Sequence, residues 1–315
     1  MAKKTPKIVK QVWRNKPRGV DYSYQKNVSY SQVSLYNQCP HRWKLRYKDK
    51  KKMFTQSIYT VFGTALHKVI QDYLDVLYND TVKKSEEINF EFRFRKEFTE
   101  EYKKQFKKNN NQHFSSADEM REFFEDGLEA LQALRKKRKK FFPRKKAHLV
   151  GCELPIVLPP HYNKQNLLFT AYLDVVIYDE ILDQFLIIDL KTSTRGWKDY
   201  MKKDEEKTNQ IVLYKKFFSE QYGIPLKKIK VEYIILKRKI WEDSPYPISR
   251  IQQFDPPSGK IKLNRASSSL DKFLDECFDT KSQIKEQDYP TNPSKWNCRF
   301  CEFLNSEFCK DGISS

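Results

Sequence analysis

Asp189 and Lys191 stand two residues apart in the stretch 168–193, LFTAYLDVVIYDEILDQFLIIDLKTS. In an extended chain that spacing puts both on one face and Leu190 on the other. The stretch reads as two apolar strands separated by the polar segment 179–184. An antiparallel hairpin centred at position 181.5 places residue 174 opposite residue 189, because their mean is also 181.5. Two carboxylates, Asp174 and Asp189, would then face each other inside a Val/Ile/Leu-rich sheet. Directly opposed like charges destabilise a strand pair, and burial makes them costlier unless a cation lies between. A divalent ion such as Mg²⁺ or Mn²⁺ fits, since hard cations take carboxylate oxygens and a bound metal turns water into a nucleophile. Lys191, on the same face, would position that water or offset charge growing on a phosphate.

Glu153 is the only acid of the stretch 147–158, AHLVGCELPIVL, which Pro159 and Pro160 close. A carboxylate on a mostly apolar strand needs a partner; a metal-ligand or water-orienting role competes with that of a salt-bridged edge residue. Near the carboxyl end, Cys298 and Cys301 form a C-x-x-C pair, Cys309 follows, and Trp296 and Phe300 lie beside them. Three thiols that close suggest a metal site lacking one ligand.

The elements that must hold these residues are legible from periodicity. Residues 57–79 read as an amphipathic helix with Val61, Ala65, Leu66, Val69, Ile70, Tyr73, Leu74 and Leu77 inward. Gly63 and His67 share one of its faces, leaving room for a close approach beside the imidazole. Residues 209–222 have helical spacing at Ile211, Tyr214, Phe217, Phe218 and Tyr222, stopped by Gly223 and Pro225, with Gln210 and Tyr214 one turn apart. A short helix near the start, with Ser31 as N-cap, is interrupted at Cys39-Pro40. Residues 85–142 read as two or more long helices broken around 107–116. Residues 192–208 read as a polar loop, Ile229–Leu236 as a further strand and Leu270–Phe278 as a further helix. Residues 1–28 read as a flexible basic arm.

Composition sets the class. The 39% hydrophobic and 14% aromatic content predicts a globular fold. With 60 Lys+Arg against 41 Asp+Glu the net charge is +19, which predicts a polyanionic partner, nucleic acid before membrane. The densest basic run, Arg135–Lys140, is a candidate phosphate contact, against a solvated helix end. No run of about 18 apolar residues is present, and MAKKTPKIVK lacks the apolar segment of a secretory signal, so a cytoplasmic location is expected. Six cysteines there read as thiols or metal ligands; Cys152 and Cys277 read as ordinary core thiols. The lack of G-x-x-x-x-G-K-[ST] gives no sign of an ATP-driven motor.

Asp174 followed by Asp189-Leu190-Lys191 resembles the PD-(D/E)XK nuclease superfamily. Cys39-Pro40, Gly63-x-x-x-His67, Gln210-x-x-x-Tyr214 and the terminal cysteines resemble, in order, the RecB-family nucleases with an iron–sulfur centre, including the nuclease half of bacterial AddB and the CRISPR-adaptation exonucleases. The resemblance spans roughly residues 29–312. It implies an α/β fold with a restriction-endonuclease-like core, a central mixed sheet flanked by helices. A helical insertion falls at about 80–146 and a cysteine-cluster segment at 290–312, in one nuclease domain over 29–315. It implies that His67 reaches the metal held by Asp174 and Asp189, and that Gln210 and Tyr214 face the site or the DNA. It implies further that Cys39 joins Cys298, Cys301 and Cys309 around a 4Fe-4S cluster, with structural zinc as the alternative, clasping the first helix to the last segment. The expected activity is exonucleolytic cutting of single-stranded or end-bearing DNA in replication, recombination or repair, by a bacterial or phage-encoded protein that a separate helicase or recombination protein could serve. A non-catalytic DNA-binding or recombination-assembly protein retaining the fold is the alternative, and RNA a third substrate class.

Overall fold

A computed structural model describes residues 5–17, 26–53, 57–143, 145–160, 166–241, 245–246 and 248–313. Helices α1 (Lys7–Arg14), α2 (Tyr30–Gln38), α3 (Pro40–Trp43), α4 (Ile58–Asn79), α5 (Val82–Glu86), α6 (Phe90–Lys108), α7 (Ala117–Lys136) and α8 (Arg138–Phe141) lead to the hairpin region. Strand β1 (Lys26–Val28) comes early, and β2 (Ala147–Leu158), β3 (Leu167–Asp179) and β4 (Gln184–Ser193) follow α8. Then come α9 (Asp199–Lys203), α10 (Glu205–Tyr222), β5 (Ile229–Lys237), β6 (Ile251–Phe254), α11 (Lys260–Cys277) and α12 (Lys295–Cys298). The six strands make one mixed sheet of order β1-β3-β4-β5-β6, with β2 also paired to β3. β3–β4 and β5–β6 are antiparallel, β1–β3 and β4–β5 parallel. A mixed α/β fold is therefore present, as expected.

The chain divides into two compact units: residues 1–16, 56–155 and 172–258, and residues 17–55, 156–171 and 259–315. In the first, β4 is buried on both faces. Ile188 and Leu190, with Val175, Ile177, Ile234 and Leu236, join a core built with α4, α6 and α7. The other face meets α10, where Phe185 and Phe218 pack with ring centroids 5.4 Å apart. All eight expected inward residues of α4 are buried, as are the five of α10. The helices of 80–146 bury Phe90, Phe94, Phe98, Phe123, Leu131 and Leu134 in that same core. Gly127 permits the crossing of α6 and α7, because a β-carbon there would lie 2.3 Å from the Phe94 ring.

Part of the expected basic arm is ordered structure. Lys7–Arg14 is helical, its Val9 and Val12 fully buried, and Trp13 Nε1 donates to the Val150 carbonyl at 2.7 Å. Its cations at positions 7, 10 and 14 fall on the helix side away from those valines, and that amphipathic spacing was hidden by the Lys-rich surroundings. The second unit pairs Lys26–Val28 with Leu167–Phe169. Residues 1–4 and 18–25 of that arm lie outside the described residues. The N-cap of α2 is Ser29 rather than Ser31. Asp204 caps α10, its Oδ1 accepting Glu206 N–H at 2.9 Å, so the helix begins earlier than the expected loop 192–208 allowed.

Candidate active site

The hairpin has the register that the spacing predicts. Val175 pairs with Ile188 and Val176 with Ile187, each pair summing to 363, as do 174 and 189. The turn is closed by Asp179, whose Oδ1 accepts the N–H groups of Ile181 and Leu182 at 2.8 and 3.1 Å. Pairing stops at Val175–Ile188, and the carboxylates sit one step beyond. Asp174 Oδ2 turns to the neighbouring main chain and accepts the Leu190 N–H at 2.7 Å. Lys191 Nζ lies 2.7 Å from Asp189 Oδ2 and donates to Gln210 Oε1 at 3.0 Å. Gln210 Nε2 in turn donates to Tyr214 Oη at 2.8 Å. The i,i+4 pair on α10 is thus a relay that ends on the lysine.

α4 supplies the other wall. His67 Nδ1 stands 3.8 Å from Asp174 Oδ2. Gln71, one turn on, donates from Nε2 to Glu153 Oε1 at 2.6 Å and to the Asp174 carbonyl at 3.2 Å. Gly63, one turn before His67, allows α4 to approach β4: a β-carbon there would stand 3.3 Å from Thr192 Oγ1. The close approach is to the residue after Lys191 rather than beside the imidazole. Glu153 has φ +50°, the left-handed region, in the middle of β2. A non-glycine residue held there inside a strand is strained, and such strain clusters at functional sites.

Electrostatics follow from burial. Asp174 is held well above the usual carboxylate range by burial and then by repulsion from Asp189; the Lys191 charge and the Leu190 N–H offset this only in part. Burial also pushes Asp189 up, against the pull of Lys191. At Lys191 burial opposes the charge, but the Asp189 carboxylate outweighs it and holds the amine above its ordinary range. His67 is lowered to about 4 by burial and then by the Lys191 charge, so it is neutral at pH 7. Burial and the Asp189 charge raise the Tyr214 phenol, which stays protonated.

Asp174, Glu153, Asp189, Lys191, His67, Gln210 and Tyr214 are therefore brought together within the first unit. Gln71 is the residue that periodicity missed. It is 7% exposed on the core side of α4, and a buried amide among apolar inward positions is the signal that could have found it. Among the described residues, no group of three or more His, Cys, Asp or Glu side chains is arranged to hold a metal ion. The donor chemistry nevertheless fits a divalent cation: two mutually repelling buried carboxylates, with neutral imidazole and a third carboxylate beside them.

In the second unit Cys39, Cys298, Cys301 and Cys309 line one cavity, with His41, Arg42 and Asp311 around it. Cys39 is extended, φ −159°, between α2 and α3, and Pro40 opens α3 as expected of the interruption. Four sulfurs lining one cavity suit a thiophilic metal. Cys152 and Cys277 lie elsewhere. Cys152 is half-buried, its thiol pushed up to about 12 by burial, and Cys277 is fully buried. Arg135 and Arg138 of the basic run are engaged within the protein. Arg135 stacks 3.7 Å over the Phe90 ring and donates to the carbonyls of Glu86 and Ile88; Arg138 pairs with Glu86 at 3.2 Å.

Residues 27–309 match the family model of the PD-(D/E)XK nuclease superfamily. The chain belongs to that superfamily. No curated protein matches the sequence. Among solved structures, a crystal structure from Eubacterium rectale, of a protein provisionally named an exonuclease, is similar at 14% identity. It covers 95% of this chain and 96% of its own, with a TM-score of 0.49. No helix among the described residues is long and apolar enough to cross a membrane.

Proposed function

We propose that this PD-(D/E)XK protein is a metal-dependent deoxyribonuclease that cuts single-stranded or end-bearing DNA exonucleolytically. The observation that carries the reading is the meeting of Asp174, Asp189 and Lys191 at the point where the β3–β4 ladder ends. Superfamily nucleases usually use Mg²⁺ or Mn²⁺. Asp174 and Asp189 would hold such an ion, with His67 and Glu153 at hand. When bound, the ion supplies Lewis acidity and eases the ionisation of water.

The remaining chemistry belongs to the side chains. Lys191 Nζ, charged because Asp189 holds it so, orients the attacking water and offsets charge growing on the scissile phosphate. Gln210 fixes that amine through its Oε1, and the protonated Tyr214 is bound to Gln210 in turn. Neutral His67 offers a nitrogen lone pair. Gln71 holds Glu153 toward Asp174. The net charge of +19 favours the polyanion. The four sulfurs that line one cavity would hold a 4Fe-4S cluster of the kind found in the RecB-family nucleases that the sequence resembles, with zinc as the alternative. A non-catalytic role is disfavoured by the intact set of acids and lysine.

Asp189→Ala and Lys191→Ala, each incubated with labelled DNA and Mg²⁺, test the reading: each should lose at least about a hundredfold in rate, and undiminished cutting by either overturns it. End-labelled single strands, duplexes and circles, each with Mg²⁺ and Mn²⁺, then separate end-dependent from internal cutting.

A further inference from the structure

The turn that carries Cys298 and Cys301 presents two aromatic rings to solvent. Trp296 is 82% and Phe300 76% exposed. Rings of that size are normally buried, and a metal cavity does not require them outside it. Ser294 caps α12 by accepting the Asn297 N–H at 3.0 Å, and Arg299 continues in right-handed helical geometry, φ −50° and ψ −36°. Residues 296 and 300 stand four apart, one in α12 and one in the turn that follows it, and both rings are exposed. Lys295 and Arg299 repeat the spacing one residue earlier and flank the rings. Both cations are exposed, and Arg299 Cζ lies 5.1 Å from the Phe300 centroid. Neither meets a carboxylate among the described residues.

This display is fixed from beneath. Arg42 Nη2 donates to the Phe300 carbonyl at 2.8 Å, and its Nε donates to Glu302 Oε2 at 2.7 Å. Asn297 Nδ2 donates to the Asn292 carbonyl at 3.0 Å. A braced backbone carrying two exposed rings and two exposed cations has the composition of a surface for a stretched, anionic chain of aromatic units. Unpaired nucleobases stack on aromatic side chains of any partner sequence, while cations follow the phosphates. Duplex bases are already stacked upon one another.

We propose that Trp296 and Phe300 form a stacking platform for successive unpaired bases of single-stranded DNA, with Lys295 and Arg299 on the intervening phosphates. The choice of DNA as the polymer rests on the nuclease reading above. The platform itself is tested without cutting, in the full chain carrying Asp189→Asn and in chelator, by fluorescence anisotropy with labelled oligo(dT) and with a blunt duplex of equal length. Trp296→Ala and Phe300→Ala each weaken oligo(dT) binding about tenfold and together at least about fiftyfold. Duplex affinity stays within about twofold. The pair Trp296→Phe and Phe300→Tyr keeps the single-strand affinity within about threefold, which separates stacking from a folding defect. Unchanged oligo(dT) affinity in the double alanine variant overturns the platform, and so does an equal loss on both DNAs. Cutting by the wild type with Mg²⁺ is scored separately: if it is absent, the nuclease reading falls while the binding result stands or falls alone.

Discussion

Asp174 Oδ2 accepts the backbone N–H of Leu190 at 2.7 Å, so the acid of β3 is fixed to the main chain of β4 between Asp189 and Lys191. The two strands separate one step earlier, and the carboxylate takes the place of a ladder partner for that N–H. Asp174 is thereby held by the main chain beside Asp189 and Lys191, which pair with each other through their side chains. A site organised in this way is prepared for a cation before one arrives.

The resulting repulsion makes the acids a stability liability without a divalent ion. Asp174 is raised above its unfolded value, so its contribution is fully present below the unfolded carboxyl range. It is lost as pH rises through the raised folded value. In chelator, Asp174→Asn, which keeps an acceptor for Leu190 N–H, should therefore melt a few degrees higher than wild type at neutral pH. The gap should close below about pH 4. Mg²⁺ should raise the wild-type melting temperature and leave the variant unmoved, while the variant fails to cut. Thermal melts across pH measure this, and a variant that melts lower at pH 7.5 would contradict it.

His67 runs the other way. Its folded value is lowered to about 4, by burial first and the Lys191 charge second. Stability from the neutral ring is therefore complete above its unfolded value near 6.5 and is lost as pH falls toward 4. The imidazole resonances should titrate with a midpoint near 4 by NMR in chelator, and Lys191→Met should raise that midpoint only part of the way. A wild-type midpoint between 6 and 7 would remove the buried, lysine-facing imidazole.

The hairpin register was legible because side-chain alternation and a short turn leave one solution. Strand β2 and the inward faces of α4 and α10 were legible because apolar periodicity is strong there. Gln71 was not, because a lone amide on an apolar helix face carries no period; its partner Glu153 stood out in sequence as the one acid of its strand, while its left-handed φ of +50° did not. The α1 helix was hidden by lysines, which dominate composition while Val9 and Val12 supply its burial. Arg135 reads in sequence as one cation among six. The structure uses it as a stacked clamp, which depends on Phe90, 45 residues away.

Gln71 should act by placing Glu153. Gln71→Leu keeps the volume of a buried side chain but removes the donor that lies 2.6 Å from Glu153 Oε1. The carboxylate should then leave Asp174, lowering kcat about tenfold and raising the Mg²⁺ concentration for half-maximal rate. Calorimetric Mn²⁺ binding should weaken in parallel. Gln71→Glu, which sets a like charge against Glu153, should be worse. If the metal titration and Mn²⁺ affinity stay at wild-type values, Gln71 is packing alone.

The basic run should divide into two behaviours. Arg135→Ala loses a ring stack and two carbonyl bonds and should destabilise by about 1–3 kcal/mol, visible as a lower melting temperature with an unchanged salt slope for DNA binding. Lys139 and Lys140 are exposed. Changing both to Gln should leave melting unaltered and reduce the slope of log K against log salt by up to about two. A flat salt response in the wild type would exclude phosphate contacts by this run.

The four cysteines supply the last test. Cys301 is raised by burial, and so is Cys309, where charge on Cys39 and Cys298 would add to the effect. Thiolates crowded there would repel one another, and a cation of high charge would offset that repulsion. Protein purified without oxygen should be brown and hold about four irons per chain, and Cys39→Ala should lose the colour. Cys39 stands 259 residues before Cys298 in sequence, so a metal joining them closes a long loop and constrains the unfolded chain strongly. Removing the metal should therefore lower the melting temperature by several degrees even where DNA and Mg²⁺ are absent. Stoichiometric zinc without iron would reject the cluster and keep the clasp; wild-type protein with neither metal and an unchanged melting temperature in Cys39→Ala would reject both.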